Sequence, residues 1–532
     1  MELDLLFKNG VIQSVDKNNT IYSRLGIKDN KIVLLDNDES EVKSKKIVDL
    51  QGKLMLPGFN DTHIHVLEYA DGKNAVDLMG TTSVNEILEK MKNHYAKNGL
   101  YQGWLLGNGW NQNRFTDGND MIYKSDLDKI STEFPIMITR TCIHIAVLNS
   151  KGIELLLQCP SAKDNMEYID IETGIIKESA LPIYRELLEK HTVESVKKLL
   201  LSAQNDLIKE GITSVQSADI SFTVAEEDFE ILIQAYKELV KEKKMKVRTY
   251  EQNMFIHYEA FKKFVDSGYT TGQGDEYFKI GPLKIISDGS LGARTAYMTE
   301  DYADMPGEKG VLILDYEKMD KFVTLAKENN MQVVIHGIGD GAMEIIVDVL
   351  NKHNKENNNK MRDGIIHAQI TTHDLIDKIK SGNICVHAQP VFIDYDMDIA
   401  DDRVGCEKAS TSYAWKTMLD KGIVVSGGSD APVVSFNVLE NIFFAVARKN
   451  INCLPENGWY PNEKVSVDEA VRMFTINAAY KSFEENIKGS LEIGKLADLV
   501  VLSDNIYEIE EDNIKDVKVD MTIFDGNIVF ER

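Results

Sequence analysis

The chain has 532 residues, of which 43% are hydrophobic, so it is long enough for a large core domain with one or two additions. It carries 60 basic and 85 acidic side chains, a formal charge of −25, and such a surface would repel nucleic acid and anionic membranes. We therefore expect a small-molecule substrate, with neither nucleic acid nor a membrane as partner. A homodimer is left open as the assembly.

The cysteines and the first residues indicate a reducing compartment. The five cysteines are scattered along the chain and show no CxxC spacing. The opening MELDLLFKNG is acidic where a signal peptide would be basic, and no apolar run reaches the roughly 18 residues of a membrane span. We expect a soluble cytoplasmic protein.

In chain order, the first predicted element is a β-rich segment of about 54 residues. IVLLD and KIVDLQGK have the pattern of strands, and KNG and KDNK have the pattern of turns. The end of the chain has the same character, in KLADLVVLSDN and VKVDMTIFDGNIVFER. The pattern predicts that residues 1–54 and 489–532 together form a small β-sandwich.

Eight short apolar runs alternate with helical stretches between these two ends. This alternation predicts an α/β fold in which eight parallel strands and their crossover helices form a (β/α)8 TIM-like barrel, built from residues 55–66 and 196–488. A doubly wound sheet is the structural alternative, but it offers no reason for polar residues at so many strand ends. The runs cover residues 53–65, 211–218, 246–255, 278–289, 331–341, 363–370, 383–391 and 422–433.

The spacing of the runs predicts a large insertion after the first barrel strand. A βα unit takes about 31 residues, and His336 and His367 lie one such unit apart. The interval from His65 to Lys284 is far longer than the three units it should contain. We therefore expect residues 67–195 to form an inserted lobe that covers the barrel mouth.

Histidines and an aspartate lie at the ends of the predicted strands. His63 and His65 are two residues apart on the first strand, so their side chains face the same side, where two imidazoles can bind one divalent cation. His336, His367 and Asp430 each close a later apolar run. Barrel enzymes carry their chemistry at this edge, and a buried histidine or aspartate without a partner is unfavourable. The pattern favours a metal site over five unrelated polar strand ends.

Lys284, in GPLKIISDG, is the exception in this set, because a buried cation beside a metal is unfavourable. Two interpretations stay open. In the first, Lys284 pairs with a carboxylate such as Asp288. In the second, it has added CO2 and become a carbamate that bridges two metals, since buried lysines titrate low enough to react in this way.

Together these motifs resemble the amidohydrolase superfamily, and within it the YtcJ-like branch that includes N-substituted formamide deformylases. The resemblance rests on LMLPGFNDTHIHV, LKIISDGSLGARTA, VVIHGIGDGA, GGSDAPV and GKLADLVVL, and it runs nearly from end to end of the chain. It implies a barrel with a composite β-sandwich, a divalent metal centre and hydrolysis of a C–N bond.

The resemblance also implies a role for each strand-end residue. His63 and His65 are similar to the ligands of a first metal, and His336 and His367 to those of a second. The cofactor is then one or two divalent ions, with zinc the first expectation and manganese or iron the alternatives. Asp430 is similar to the acid that takes a proton from the attacking water and returns it to the leaving amine. The implied metal ligands are His63, His65, Lys284 as a carbamylated lysine, His336, His367 and Asp430.

Further residues are candidates for contacts with the substrate. His144, in TRTCIHIAVLNS, resembles a recurring position of this branch and is a candidate catalytic residue that binds the substrate carbonyl; the alternative is an ordinary hydrogen bond at a strand end. An ordinary structural role is likewise the alternative for each candidate of the substrate pocket. These pocket candidates are Trp110, Phe115, Asp288, Arg294 and His387.

The leading function is a metal-dependent hydrolase of a C–N bond other than a peptide bond, such as that of an N-substituted formamide. A deaminase or a cyclic-amide hydrolase is the alternative among enzymes, because the same centre attacks either type of carbon. A non-catalytic binding or regulatory protein on the same fold is the alternative from another class. The complete ligand set argues against it.

Overall fold

The computed structural model describes residues 2–38, 40–141 and 145–532, except for the side chains of residues 179 and 182. The described chain divides into two compact units, one of residues up to 68 together with 196–532, the other of residues 69–195. Among the described helices, none combines the length and the apolar character that crossing a bilayer requires.

The larger unit is built around an eight-stranded parallel sheet that curls into a nearly closed barrel. Neighbouring strands in the sheet are also consecutive in the chain, which is the topology of a (β/α)8 barrel. The predicted TIM-like barrel is therefore confirmed. Its strands are, in order, Phe59–Ile64, Ile212–Ser217, Arg248–Met254, Phe278–Ile286, Val333–Gly337, Gly364–His367, Cys385–Ala388 and Val425–Gly427.

The first and last barrel strands meet at their carboxyl ends. The backbone N–H of Asp430 donates to the carbonyl of His63 at 2.7 Å, and the Thr62 hydroxyl donates to the Gly427 carbonyl at 3.0 Å. Gly428 permits this approach, because a Cβ atom there would lie 2.6 Å from the His63 nitrogen. The end of the eighth strand is thereby held against the end of the first.

Helices connect successive barrel strands and cover the barrel. The helix Tyr316–Glu328 shows how the sequence encodes them: Asp315 caps its first turn through a backbone hydrogen bond to its side chain, and its buried residues recur at helical spacing. This spacing gives the helix one apolar face. The helices of the larger unit include Val193–Leu207, Phe229–Lys241, Tyr258–Asp266, Tyr316–Glu328, Asp340–Asn354, His373–Ser381, Ile393–Val404, Cys406–Ala409, Trp415–Asp420, Val438–Ala447, Val467–Met473 and Ile476–Lys481.

Two further sheets are built from the ends of the chain, and the second of them combines strands from both ends. One has the strand order Lys31–Asp36, Arg24–Lys28, Leu3–Lys8, Ser44–Asp49. The other has the order Asn527–Glu531, Val519–Phe524, Leu499–Leu502, Leu54–Pro57, Val11–Gln13, Ile21–Tyr22. Side chains from both sheets share one buried core, so the two sheets pack face to face.

The run 53–65, expected to be a single barrel strand, is two strands in different sheets. Leu54–Pro57 belongs to a terminal sheet and Phe59–Ile64 to the barrel. Gly58 lies between them, and a Cβ atom there would come within 2.2 Å of the Thr213 hydroxyl. The lack of a side chain thus lets the chain pass closely over the second barrel strand as it changes sheets.

The smaller unit has its own sheet and its own core. Its strand order is Ile169–Asp170, Ile175–Lys177, Ile145–Leu148, Ile136–Arg140, Leu105–Trp110, Val76–Asp77. Helices Val84–Asn98, Lys124–Leu127 and Ser150–Leu156 belong to it, and two buried apolar clusters fill it. The expectation that this lobe covers the barrel mouth stays a prediction.

Candidate metal centre

The structure brings the six strand-end residues together at the carboxyl end of the barrel. His63 lies in the first barrel strand, Lys284 in the fourth and His336 in the fifth. His367 ends the sixth strand, while His65 and Asp430 follow the first and the eighth. The ring centroids of His63 and His65 are 5.0 Å apart, and those of His336 and His367 are 4.4 Å apart.

The first histidine pair presents two lone pairs to the same carboxylate. His63 Nδ1 lies 2.8 Å from Gln252 Oε1, and His65 Nδ1 lies 2.7 Å from the Ala218 carbonyl. Both oxygens only accept, so each Nδ1 carries the proton and each Nε2 keeps its lone pair. Asp430 Oδ1 lies 3.2 Å from both Nε2 atoms. Two imidazole lone pairs and a carboxylate oxygen therefore point at one place.

The charge state of these groups fits a bound cation. Burial, followed by the charge of Lys284, lowers the pKa of His63 to about 3, so its imidazole is neutral at neutral pH. In the tautomers assigned above, the Nε2 lone pairs of His63 and His65 face a carboxylate oxygen, and such groups repel one another unless a cation lies among them. Their chemistry is that of a zinc-type ligand set.

His367 and His336 extend this set. One potential ligand atom from each of His63, His367 and Asp430 lies within 4.8 Å of the others. Among the described residues, His367 Nδ1 is buried without a hydrogen-bond partner. His336 Nε2 lies 3.1 Å from the Gly289 carbonyl, which leaves its Nδ1 as the free nitrogen. Burial, then Lys284, lowers the pKa of His336 to about 4.

Lys284 is buried beside this cluster. Its Nζ lies 3.4 Å from His63 Nε2, and burial lowers its pKa to about 8, with Asp430 acting in the opposite direction. Asp288 instead accepts hydrogen bonds from the backbone amides of Ile338 and Gly339, at 3.1 and 2.8 Å. The Lys284–Asp288 pair, which the sequence left open, is not the arrangement in the described structure.

Two residues of the cluster have left-handed backbone. The φ angle of His367 is 76° and that of Asp430 is 63°. This region is unfavourable for side chains larger than glycine, and residues held in it concentrate at functional sites. The backbone of the sixth and eighth strand ends is thus shaped to turn these two side chains inward.

Asp61 and Gln252 support the ligand cluster, and the sequence predicted no role for either of them. Asp61 accepts from the backbone amides of His63 and Ser429, at 3.0 and 3.1 Å, and burial raises its pKa to about 7. Gln252 contacts the His63 ring. The signal that could have revealed Gln252 is the polar sequence Glu251–Gln252–Asn253 inside a fully buried strand.

The structure gives most pocket candidates structural contacts. Trp110 is buried in the core of the smaller unit with its indole N–H donating to the Ile138 carbonyl at 3.2 Å, and Phe115 packs on the same core. Arg294 pairs with Asp304 at 2.7 Å. These contacts support the structural alternative for all three, and their place in a substrate pocket stays a prediction.

The remaining candidates differ in position. Asp288 anchors backbone amides as described above. His387 is buried, and its Nδ1 lies 3.2 Å from the Thr62 carbonyl, beneath the cluster. His144 lies outside the described residues, so its role stays a prediction.

Two aromatic rings that sequence did not single out flank the cluster. Phe222, which is 40% exposed, packs edge-to-face on His65 with 5.0 Å between ring centroids. Phe392 packs in the same manner on His367 at 6.0 Å. The cluster therefore has apolar surface beside it at two of its histidines.

Comparison with known proteins agrees with this geometry. The amidohydrolase family matches residues 46–530. The chain is 30% identical over 494 residues to the putative amidohydrolase YtcJ of Bacillus subtilis, covering 91% of this chain and 90% of that protein. It is 23% identical over 551 residues to the N-substituted formamide deformylase of Arthrobacter pascens, covering 99% and 98%. The crystal structure of an uncharacterised metal-dependent hydrolase from Pyrococcus furiosus superposes with a TM-score of 0.79 at 27% identity, covering 95% of this chain and all of that one.

Proposed function

This chain belongs to the amidohydrolase family, and from that premise we propose that it hydrolyses the C–N bond of a non-peptide amide at a divalent metal centre. Family membership makes it a metal-dependent amidohydrolase; the bond and the substrate are the proposal. Its main support is the convergence of His63 Nε2, His65 Nε2 and Asp430 Oδ1, three electron-pair donors with no proton between them.

The proposed centre is held by the strand-end residues. His63, His65 and Asp430 would hold one ion, with His336 and His367 for a second, and zinc is the expected metal. When bound, a divalent ion supplies Lewis-acid chemistry, because it acidifies water and polarises a carbonyl group.

Asp430 is the proposed general base and acid. Its backbone is fixed by the 2.7 Å hydrogen bond to His63, so its carboxylate has a defined position at the cluster. Oδ1 faces the two histidines, so the other carboxylate oxygen takes a proton from the attacking water and later gives it to the leaving nitrogen.

Lys284 is proposed to act as a carbamate. Its neutral amine adds CO2 and loses one proton, which replaces a cation by an anion beside the ligands. The lowered pKa supports this, because it increases the neutral amine fraction at neutral pH. A bridging anion also removes the repulsion between a buried ammonium group and a metal.

An N-substituted formamide is the proposed substrate. Support comes from the name of the Arthrobacter pascens relative and from the apolar rings of Phe222 and Phe392 beside the ligand histidines. These rings could take up an apolar N-substituent while the amide carbonyl faces the cluster. A cytoplasmic location and the absence of nucleic-acid and membrane partners remain part of the proposal.

A metal assay combined with an activity screen tests the proposed function. We expect bound zinc, formate release from N-substituted formamides, loss of turnover on chelation, and recovery with zinc. The variant His336→Ala should lack turnover and bind less metal while staying folded. His257→Ala is the control, since that side chain is 80% exposed.

The alternatives give different results in the same screen. Ammonia release from amino-substituted heterocycles, without formamide turnover, would make the protein a deaminase. Ring opening of cyclic amides would make it a cyclic-amide hydrolase. Stoichiometric metal with no turnover of any C–N substrate would favour a non-catalytic binding protein.

A further inference from the structure

Gln252 contacts the proposed metal centre through a single ligand. It lies in the third barrel strand, fully buried. Its Oε1 atom is 2.8 Å from His63 Nδ1, and its Nε2 atom donates to the Thr62 carbonyl at 2.9 Å. The same carbonyl lies 3.2 Å from His387 Nδ1. Through these two contacts, the Gln252 side chain connects the Thr62 carbonyl to the ring of the following residue, His63.

The Thr62 carbonyl fixes the orientation of the Gln252 amide. A carbonyl oxygen only accepts, so the amide must turn its NH2 group toward Thr62 and its oxygen toward His63. The reverse orientation would place two oxygens in contact at Thr62. The facing atom of His63 must then be a donor, which places its proton on Nδ1.

The position of this proton decides whether His63 can bind a cation. With the proton on Nδ1, the Nε2 lone pair faces Asp430 Oδ1 at 3.2 Å. With the proton on Nε2, an N–H bond would occupy the direction that a metal needs. Lys284 Nζ, 3.4 Å from the same Nε2 atom, favours the lone pair there as well.

We propose that Gln252 is a positioning residue that locks His63 in the Nδ1–H tautomer and thereby sets the affinity of the centre for its metal. This inference rests on the proposed function, because it presumes that the centre binds a divalent ion. Hydrogen-bond partners of metal-ligating histidines typically contribute about 10- to 100-fold in metal affinity.

A neighbouring glutamine provides a matched control. Gln216 lies in the adjacent second barrel strand and is equally buried. Its side chain donates to the Ala478 carbonyl at 3.0 Å. Replacing it removes a buried amide and one hydrogen bond without removing the acceptor for His63.

The test measures zinc affinity by chelator competition for the wild type, Gln252→Met, Gln252→Glu and Gln216→Met, with thermal unfolding as a check on folding. We expect Gln252→Met to bind zinc about 10- to 100-fold more weakly. Gln252→Glu keeps an acceptor for Nδ1–H but places its second oxygen against the Thr62 carbonyl, so it should bind zinc more tightly than Gln252→Met and more weakly than the wild type. Gln216→Met should match the wild type. Nitrogen-15 NMR of histidine-labelled, metal-free protein should show His63 as the Nδ1–H tautomer, assigned with a His63→Ala variant.

The outcomes separate the two proposals. If the wild type binds no zinc, the proposed metal centre fails. If the wild type binds zinc and Gln252→Met binds it equally well, or Gln216→Met loses as much affinity, the role of Gln252 is wrong. An Nε2–H signal for His63 in the wild type would overturn the role even if Gln252→Met did not fold.

Discussion

The carbonyl of His63 and the backbone N–H of Asp430 are joined by a 2.7 Å hydrogen bond between the first and the last barrel strands. The Asp430 side chain also contacts the His63 ring at 3.2 Å. Closure of the barrel and the geometry of the candidate metal centre therefore depend on the same pair of residues. A change that separates these two strand ends should disturb both stability and metal binding.

Gly428→Ala tests this coupling. The added Cβ atom would lie 2.6 Å from the His63 nitrogen, so the two strand ends must move apart. Overpacking of this kind typically destabilises by about 1–3 kcal/mol, and we expect weaker zinc binding and lower kcat/KM as well. Gly292→Ala is the control, because its nearest neighbour is 4.0 Å away. Wild-type zinc affinity in Gly428→Ala would contradict the coupling.

Lys284→Ala tests the carbamate. The variant should be inactive because it lacks the proposed anionic bridge, and short carboxylic acids should partly restore turnover by occupying its place. Turnover is measured with graded acetate and formate. Lys481→Ala removes another buried lysine, whose Nζ donates to the Val386 carbonyl, and should show no such rescue. Full activity of Lys284→Ala in CO2-free buffer would rule the carbamate out.

Phe222→Ala tests the apolar wall beside His65. Loss of the ring should lower kcat/KM by about 10-fold or more for formamides with an aromatic N-substituent, since apolar pocket contacts are worth about 1–3 kcal/mol. Formamides with a small N-substituent should be affected much less. Phe483→Ala, at a residue of matching 38% exposure that packs on Arg362, serves as control. An equal loss for both substrate types would show that Phe222 does not recognise the substituent.

Glu484 should make stability depend on pH. Burial would raise its pKa, but ion pairs with Lys488 and Lys279, each at 2.7 Å, outweigh burial and lower the pKa from 4.5 to about 2. Because the folded-state pKa is the lower one, the stabilisation is present above pH 4.5 and is lost as the pH falls toward 2.

Denaturant unfolding between pH 7 and pH 2 measures this effect. The shift corresponds to about 3 kcal/mol, and Glu484→Gln should flatten that part of the profile. Glu531→Gln, at an exposed residue, should leave the profile unchanged. A wild-type profile in Glu484→Gln would show that the ion pairs contribute nothing to acid sensitivity.

The barrel and the histidine cluster could be predicted because they depend on local signals. Several barrel strands are short apolar runs, and the histidine and aspartate ligands lie at the ends of such runs or just after them. In a parallel barrel all carboxyl ends meet at one edge, so strand identity alone implies that these side chains converge.

The division of residues 53–65 between two sheets could not be predicted from hydrophobicity. Leu54–Pro57 is apolar and Phe59–Ile64 is rich in polar residues, yet both are fully buried, so the change of composition does not indicate a change of sheet. Only Gly58 separates them. Its role depends on the distance to Thr213, which is a property of the folded chain.

The contacts of Gln252 and Phe222 could not be predicted for a related reason. Gln252 reaches His63 from another strand, and Phe222 reaches His65 from the loop after the second strand. For Trp110, by contrast, the sequence suggested a functional contact: its aromatic character is typical of a pocket wall, whereas its ring lies in the core of the smaller unit. Residue type alone does not distinguish these environments.

Six side chains from distant parts of the chain are proposed to form one divalent metal site, and anomalous scattering from crystals grown with zinc can locate the metal. We expect an anomalous peak next to His63 Nε2, His65 Nε2 and Asp430, with any second peak next to His336 and His367 and with added density on Lys284 Nζ. No anomalous peak among these residues after soaking with zinc or manganese would contradict it.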